Sequence, residues 1–450
     1  MKNFIIVGFI CIVFASCDNQ LDVKPSQEID ENAALNTAQD VKVTLIGAYN
    51  SLSNENVYGG GFQLISELVG DDREVVFGGS FYELSEMWRK ELTTGNDLVS
   101  QTWIEAYKAI NLANNVLSAL DKLDAAERNQ IEGEARFIRA VTYFGLVNVF
   151  AKTWNDGDNL LNPGVPLVTK PTRVISKDDF IARSSVAAVY DQILEDLLAA
   201  EQLLADQEAG ANSGFALKTA ATAFLARVYL MQGNYSACLE ASNKIIESAK
   251  HNLSPSFDEL FVDASVGQSN ESIFKILVTA QDGISGLNTY FASADFQGRG
   301  DIRIQNKHFG LYESDDPRGK FFSEASMRFF TNKFNDSRGD VVIVRLAEMY
   351  LNRAECNFRL NSSIGAAPLD DLNAIRERAG ATKLDVSQLD LNRILVDRKL
   401  ELCFEGNLLL DSKRNHFKID DLEYNDPRLV LPIPQREIDT NKALRQNEGY

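Results

Sequence analysis

Two loop-rich segments of this 450-residue chain hold the side chains best suited to binding chemistry. Both combine aromatic rings with carboxylate, amide and guanidinium groups. A sugar has apolar C–H faces that stack on rings, and hydroxyl groups that need planar polar partners at fixed positions. The composition therefore predicts a site that could bind a sugar. For each aromatic ring, the alternative is that it packs in the hydrophobic core. Its candidate residues are Asp72, Arg73, Phe81, Tyr82, Trp88 and Asn96 in the first segment, and Tyr290, Phe291 and Arg299 in the second.

Signatures of catalysis are sparse in the sequence. The histidines His251, His308 and His416 lie far apart, and none belongs to a zinc-binding motif. The pair Asp71-Asp72 could serve a glycosidase, but chance pairs are expected among 64 acidic residues. No Gly-Lys-Ser/Thr follows the glycines at 59–61, which predicts a flexible turn and not a phosphate loop. We expect no catalytic residue, no cofactor and no metal site.

The first seventeen residues have the pattern of an export signal. Lys2 precedes eleven apolar residues at 4–14, too few for a helix to span about 30 Å of hydrocarbon. Small residues then precede Cys17, as in the lipobox of a bacterial lipoprotein, whose thiol receives diacylglycerol. The pattern predicts a signal peptide over 1–16, lipidation at Cys17 and an acidic tether over 17–40. An ordinary secretory signal is the alternative.

The negative charge of the chain narrows the classes of partner that it can bind. The formal net charge of −19 disfavours nucleic acid as the main partner, because phosphate binding needs a concentrated basic surface. It equally disfavours adsorption to anionic lipid through a basic face.

Beyond Cys17, the cysteines Cys238, Cys356 and Cys403 are odd in number and widely spaced. We expect them to be buried as small apolar side chains, without disulfides.

Helical periodicity dominates the rest of the chain. Apolar residues from Val186 to Leu198 recur at helical spacing, and Ser184 or Ser185 can cap that helix. The segments 217–231 and 236–249 form an alanine-rich helix–turn–helix that resembles a tetratricopeptide repeat. Helical pairs of this type stack and bury a shared core. Short β-prone runs and loops replace the helices over 257–341.

Several stretches carry signatures that occur together in one family. They read EARFIRA at 134–140, GVPLV at 164–168, RLAEMYLNRAE at 345–355, NAIRERAG at 373–380, RKLELCFEG at 398–406, LPIPQREI at 431–438 and QNEGY at 446–450. These motifs, and their order along the chain, resemble those of the SusD-like (RagB/SusD) family of outer-membrane nutrient-binding lipoproteins. The resemblance runs from Cys17 to Tyr450.

This resemblance implies both a fold and a function. The implied fold is mostly α, with tetratricopeptide-like helical pairs in a right-handed superhelix and a loop-rich, short-strand region packed on it. We divide it into an N-terminal region, 41–256, and a C-terminal region, 257–450, whose segment 257–341 is loop-rich. The implied function is a lipid-anchored, outward-facing outer-membrane protein that binds oligosaccharide or polysaccharide for a SusC-like TonB-dependent transporter. Binding of peptides or another nutrient, and less favourably glycoside hydrolysis, are the alternatives.

Overall fold

The computed structural model describes residues 35–206, 214–261, 270–279, 281 and 283–450. The predicted signal peptide, Cys17 and most of the predicted tether lie outside these residues. Helices dominate, as predicted: α1 (Ala38–Leu52), α2 (Gly61–Val69), α3 (Tyr82–Arg89), α4 (Asp97–Leu117), α5 (Ala125–Phe150), α6 (Val186–Leu203), α7 (Lys218–Met231), α8 (Tyr235–Glu247), α9 (Gly286–Phe291), α10 (Asn306–Phe309), α11 (Leu346–Leu360), α12 (Pro368–Arg378), α13 (Leu391–Leu402), α14 (Leu408–Arg414) and α15 (Gln435–Thr440).

Side-chain caps fix where several helices begin. The hydroxyl of Ser185 accepts from the N–H of Ala188 and caps α6, which confirms one of the two predicted caps. At the start of α1, Thr37 and Asp40 form a reciprocal capping box. The predicted tether is therefore too long at its C-terminal end, because helix α1 has already begun at Ala38.

The long helices pack against one another largely in chain order. Contacts run from α1 to α4, α5, α6, α7 and α8 in turn, and then from α8 to α11, which packs on α12 and α13. Helix α5 is buried on most sides between Ala135 and Phe150, as its all-round apolar pattern predicts. Among the described residues, no helix is long and apolar enough to cross a bilayer.

Two small antiparallel sheets lie beside the helices. The first has the strand order β1-β3-β5-β4, and the second pairs β2 with β6. In the first sheet, Val75 of β1 lies opposite Ile304 of β3, and Ile304 also lies opposite Phe329 of β5. The strand bounds are β1 (Val75–Phe77), β2 (Ser272–Ile276), β3 (Ile302–Ile304), β4 (Phe322–Ala325), β5 (Arg328–Thr331) and β6 (Val341–Arg345).

The boundary proposed at 256/257 does not separate two bodies. Strand β1 comes from the N-terminal region but pairs with β3 of the C-terminal region. Helix α8 packs on α11, and one apolar cluster contains side chains from both regions, such as Phe137 and Phe274. The two halves therefore share a core, and the ligand residues from both loop segments lie on one body.

The glycines at 59–61 do not form the flexible turn that the sequence suggested. All three are buried, and Gly60 and Gly61 are the N-cap and first residue of α2. A Cβ at Gly59 would lie 2.2 Å from the carbonyl oxygen of Ser53, and one at Gly61 would lie 2.3 Å from that of Asn56. Glycine is required here because the backbone passes too closely for a side chain.

Replacing Gly145 by alanine is expected to lower the free energy of unfolding by about 1–3 kcal/mol, since overpacking forces neighbouring groups to shift. Gly145 lies inside α5, and its Cβ would be 2.4 Å from the ring of Phe62. Urea denaturation checks this value. Gly95→Ala is the matched control, because a Cβ there meets nothing within 4 Å. Equal effects of the two substitutions would contradict the packing described here.

Candidate functional site

Helix α3 lies between two surface clefts, which four of the nine predicted ligand residues line. Its N-terminal end borders the aromatic cleft, which Phe81 and Tyr290 also line. Its C-terminal end borders the second cleft, which contains Trp88 and Arg73. The structure thus brings together some of the predicted residues and separates Trp88 from Tyr290.

The aromatic cleft is built around a pair of rings from the two loop segments. Phe81 precedes α3 and is 40% exposed, and Tyr290 lies in α9. Their ring centroids are 5.7 Å apart at an interplanar angle of 86°, an edge-to-face contact. In this geometry the edge of one ring holds the other ring in place, and apolar ring surface remains exposed at the cleft.

Arg299 supports the Phe81 ring from a neighbouring loop. Its guanidinium carbon is 4.6 Å from the centroid of that ring. Its Nε donates to the carboxylate of Asp301 at 2.9 Å, and its Nη2 donates to the hydroxyl of Ser80 at 3.1 Å. Arg299 therefore lies in the predicted site and positions Phe81.

Polar side chains line the remainder of the aromatic cleft, whose volume is about 290 Å³. The apolar floor comes from Leu64, Leu84 and Leu98. The polar residues are Glu55, Asn56, Glu83, Asp97 and Gln101. The sequence prediction missed all five. Asp97 and Gln101 are four residues apart on α4 and so share a face, but that spacing alone does not indicate a ligand site.

Tyr290 presents a neutral phenol to the cleft at ordinary pH. Burial and the nearby carboxylate of Glu55 raise the pKa of Tyr290 above its usual value. Within the described residues, no hydrogen bond engages its hydroxyl. Tyr82 follows Phe81 and is 69% exposed, and hydrogen bonding to Glu86 raises its pKa. The Tyr290 hydroxyl can therefore donate a hydrogen bond to a ligand, whereas the Tyr82 hydroxyl already donates to Glu86.

The polar groups predicted near Trp88 are committed to contacts within the protein. The indole N–H of Trp88 lies between the carboxylate of Asp71, at 3.3 Å, and the carbonyl of Val75, at 3.2 Å. Arg73 pairs with the carboxylates of Asp420 and Asp421. Asp72 pairs with Lys307 at 2.6 Å and accepts from the N–H of Asp420. These contacts indicate that Asp72, Arg73 and Trp88 hold the 71–74 loop, which leads into β1, in place.

Two predicted ligand residues are structural, and their assignment was wrong. Asn96 is 4% exposed; its carbonyl oxygen caps α4, and its amide donates to Glu86 at 2.7 Å. Phe291 is fully buried against Phe334 and Phe404. Trp103 and Trp154 pack on buried aromatic side chains, which indicates a structural role for both.

The aspartates proposed as a hydrolytic pair have other roles. Asp71 is 2% exposed and accepts from the backbone N–H groups of Glu74 and Val75, while Asp72 is paired with Lys307. In the described part of the chain, no group of three or more His, Cys, Asp or Glu side chains is placed to hold a metal ion.

Comparisons with known proteins agree on one family. A family model described as "Starch-binding associating with outer membrane" matches residues 19–230, and one described as "SusD family" matches residues 319–450. SusD-like protein P25 of Formosa agariphila is 25% identical, over 100% of this chain and 99% of its own.

Solved structures share the fold. A SusD superfamily protein from Bacteroides vulgatus superimposes with a TM-score of 0.82 at 23% identity, covering 92% of this chain and 99% of its own. A laminarin-binding SusD-like protein gives a TM-score of 0.75 at 21% identity, with coverage of 92% and 100%. The chain belongs to the SusD family of carbohydrate-binding proteins associated with the outer membrane.

Proposed function

We propose that this protein captures a neutral oligosaccharide in the aromatic cleft and delivers it to a SusC-like TonB-dependent transporter. In this proposal, lipid on Cys17 holds the chain on the outer face of the outer membrane. The family supports the general role in carbohydrate binding. The Phe81–Tyr290 pair beside a polar cleft is the observation that supports this location for the ligand site.

The cleft offers both kinds of contact that a sugar ring needs. The Phe81 ring gives an apolar surface for the C–H face of a pyranose. The acceptors on Glu55, Glu83 and Asp97, with the amides of Asn56 and Gln101, can meet hydroxyl groups around it. Such a site can hold an oligosaccharide by ring stacking and hydrogen bonding together.

The acidic lining favours uncharged sugars. Glu55, Glu83 and Asp97 are all in the cleft, and the cation nearest to its rings, Arg299, is already paired with Asp301. Sulfated glycans and polyuronates would bring like charges to the carboxylates, which disfavours their binding. Neutral hydroxyl groups instead donate to them. We therefore assign neutral glycans as the ligand class.

Tyr290→Ala is expected to weaken oligosaccharide binding about tenfold or more, since it removes both the support of the Phe81 ring and a hydroxyl donor. Isothermal titration calorimetry against neutral, sulfated and uronic-acid glycans measures the effect. Phe180→Ala is the matched control, because Phe180 is also 40% exposed but lies outside the cleft. It should bind like the unmodified protein.

A product assay on the same glycans and a titration with a peptide library decide between the alternatives. Product release from a glycan would establish a hydrolase, and binding of a peptide library instead would establish a different nutrient. A preference for sulfated glycans would contradict the charge argument. Recovery of a TonB-dependent barrel with the chain, from detergent-solubilised outer membranes, checks the delivery step.

A further inference from the structure

Helices α8 and α11 run antiparallel in a register that two contacts define. The guanidinium carbon of Arg359 lies 4.7 Å from the centroid of the Tyr235 ring. Further along, Nη1 of Arg353 donates to the side-chain oxygen of Asn243 at 2.7 Å. As the residue number rises on α8, it falls on α11, so residues between these contacts face each other in pairs.

Cys238 and Cys356 are one such pair. Cys238 lies three residues after Tyr235, and Cys356 lies three residues before Arg359, which places them at the same level between the helices. Neither has any exposed surface, and both belong to the same apolar cluster. A hydrogen bond with the Cys238 thiol, together with burial, raises the pKa of the Cys356 thiol. The two sulfur atoms are therefore neighbours.

We propose that Cys238 and Cys356 form an intramolecular disulfide once the chain has been exported. The inference rests on the proposed function in one respect, because export brings the thiols into an envelope where disulfides persist. It departs from our sequence expectation of unpaired thiols, which considered spacing along the chain and not the distance between helices. The bond would join α8 to α11, one of the contacts between the two halves of the chain.

The chemistry requires an external disulfide as the oxidant, such as an envelope thiol–disulfide oxidoreductase. The thiolate of one cysteine attacks that disulfide, forms a mixed disulfide and releases one thiolate of the oxidant. The thiolate of the second cysteine then attacks the mixed disulfide and releases the other. Each cysteine loses a proton, and the two electrons reduce the oxidant. Because both sulfur atoms are fully buried in the folded protein, the thiol–disulfide exchange takes place before α8 finally packs on α11.

Cys403 provides an internal reference. It too is buried, but its sulfur contacts the hydroxyl of Tyr312 at 3.8 Å and the carbonyl of Leu400 at 3.4 Å. Its neighbours are thus oxygen atoms and the His308 ring, and not a second thiol. Cys403 should stay reduced in the same sample in which the pair is oxidised.

Peptide mapping tests the proposal directly. The full chain, expressed with its own signal in a bacterium with a disulfide-forming envelope, is denatured without reductant, alkylated and digested with trypsin. We expect the peptide 228–244, with Cys238, to be linked to the peptide 354–359, with Cys356, while 400–413 is alkylated at Cys403. Recovery of envelope-located chain with 228–244 and 354–359 separately alkylated would overturn the proposal.

Thermal unfolding gives a second readout. Reductant should lower the Tm of the oxidised chain by roughly 5 °C, because the bond closes a long loop in the unfolded state. Cys403→Ser should keep this response, and Cys238→Ser should lose it. A response unchanged by Cys238→Ser would refute the assignment. Oligosaccharide titration and membrane fractionation of the same sample report on the proposed function separately, so the two proposals can fail independently.

Discussion

Replacing Arg345 by methionine is expected to lower the free energy of unfolding by about 3–5 kcal/mol. Arg345 is 1% exposed at the end of β6, and its guanidinium lies 2.7–2.9 Å from the carboxylates of Glu271, Glu401 and Glu405. Methionine fills similar space but leaves the buried carboxylates short of one cation. Since folded proteins are stable by about 5–15 kcal/mol, this single change removes a large share of the stability.

The protonation state of Glu401 shows how strongly these charges depend on one another. Burial alone would raise the pKa of Glu401, but Arg378, Arg345 and Arg318 outweigh burial and lower it to about 2. Removing one of the three arginines weakens that stabilisation.

Chemical denaturation followed by circular dichroism measures the loss. Arg428→Met is the matched control, because the Arg428 side chain is 57% exposed in its pair with Asp426. An exposed pair contributes about 0–1 kcal/mol, so the control should differ little from the unmodified protein. A loss in Arg345→Met no larger than in the control would show that the buried cluster does not depend on this cation.

The stretches that resemble the family are largely the ones that form these buried ion pairs. Their members include Arg345 with Glu401, Arg353 with Asp371, Glu355 with Arg414, Arg376 with Asp397, and Arg398 with Asp411. A buried charge needs a specific partner in a specific place, so such positions leave a strong pattern in the sequence. This is why the fold could be predicted from the sequence, together with the helices that apolar periodicity indicates.

The ligand site leaves a weaker pattern in the sequence than the buried ion pairs do. Tyr290 and Phe291 are neighbours in α9, yet Tyr290 lines the aromatic cleft and Phe291 is in the core. Composition cannot separate two adjacent rings, because which one faces the cleft depends on how a short helix packs. Asn96 similarly has the side chain of a ligand residue but caps α4. The site could therefore be predicted as a region, and not residue by residue.

The unmodified protein is expected to have a higher free energy of unfolding than His308→Gln at pH 6. This advantage should shrink by about 3 kcal/mol as the pH rises from 6 to 10. The His308 ring is buried, with its Nδ1 2.9 Å from the carboxylate of Glu74 and its Nε2 3.1 Å from the hydroxyl of Tyr312. Burial would lower the pKa of His308, but hydrogen bonds with Cys403 and Glu74 raise it to about 9.

The direction of this pH dependence follows from the two pKa values. An unfolded histidine has a pKa of about 6.5, so the folded protein holds the His308 proton more tightly. The added stability is fully present below pH 6.5 and is lost as the pH rises through about 9. Glu74 acts at the other end, because its pKa is lowered to about 2, so its contribution is present above about pH 4.5 and is lost as the pH falls through 2.

Urea denaturation of both proteins at pH 6, 8 and 10 isolates the contribution of His308. Other buried groups that titrate in this range, such as Glu67 and Lys413, are present in both proteins, so their effects largely cancel in the difference. His416→Gln, on the exposed imidazole that stacks on Tyr424, controls for the substitution itself and should change stability little at any of these pH values. A constant difference from pH 6 to pH 10 would mean that folding does not raise the pKa of His308. The Glu74–His308 contact would then be a neutral hydrogen bond and not an ion pair at pH 8 and above.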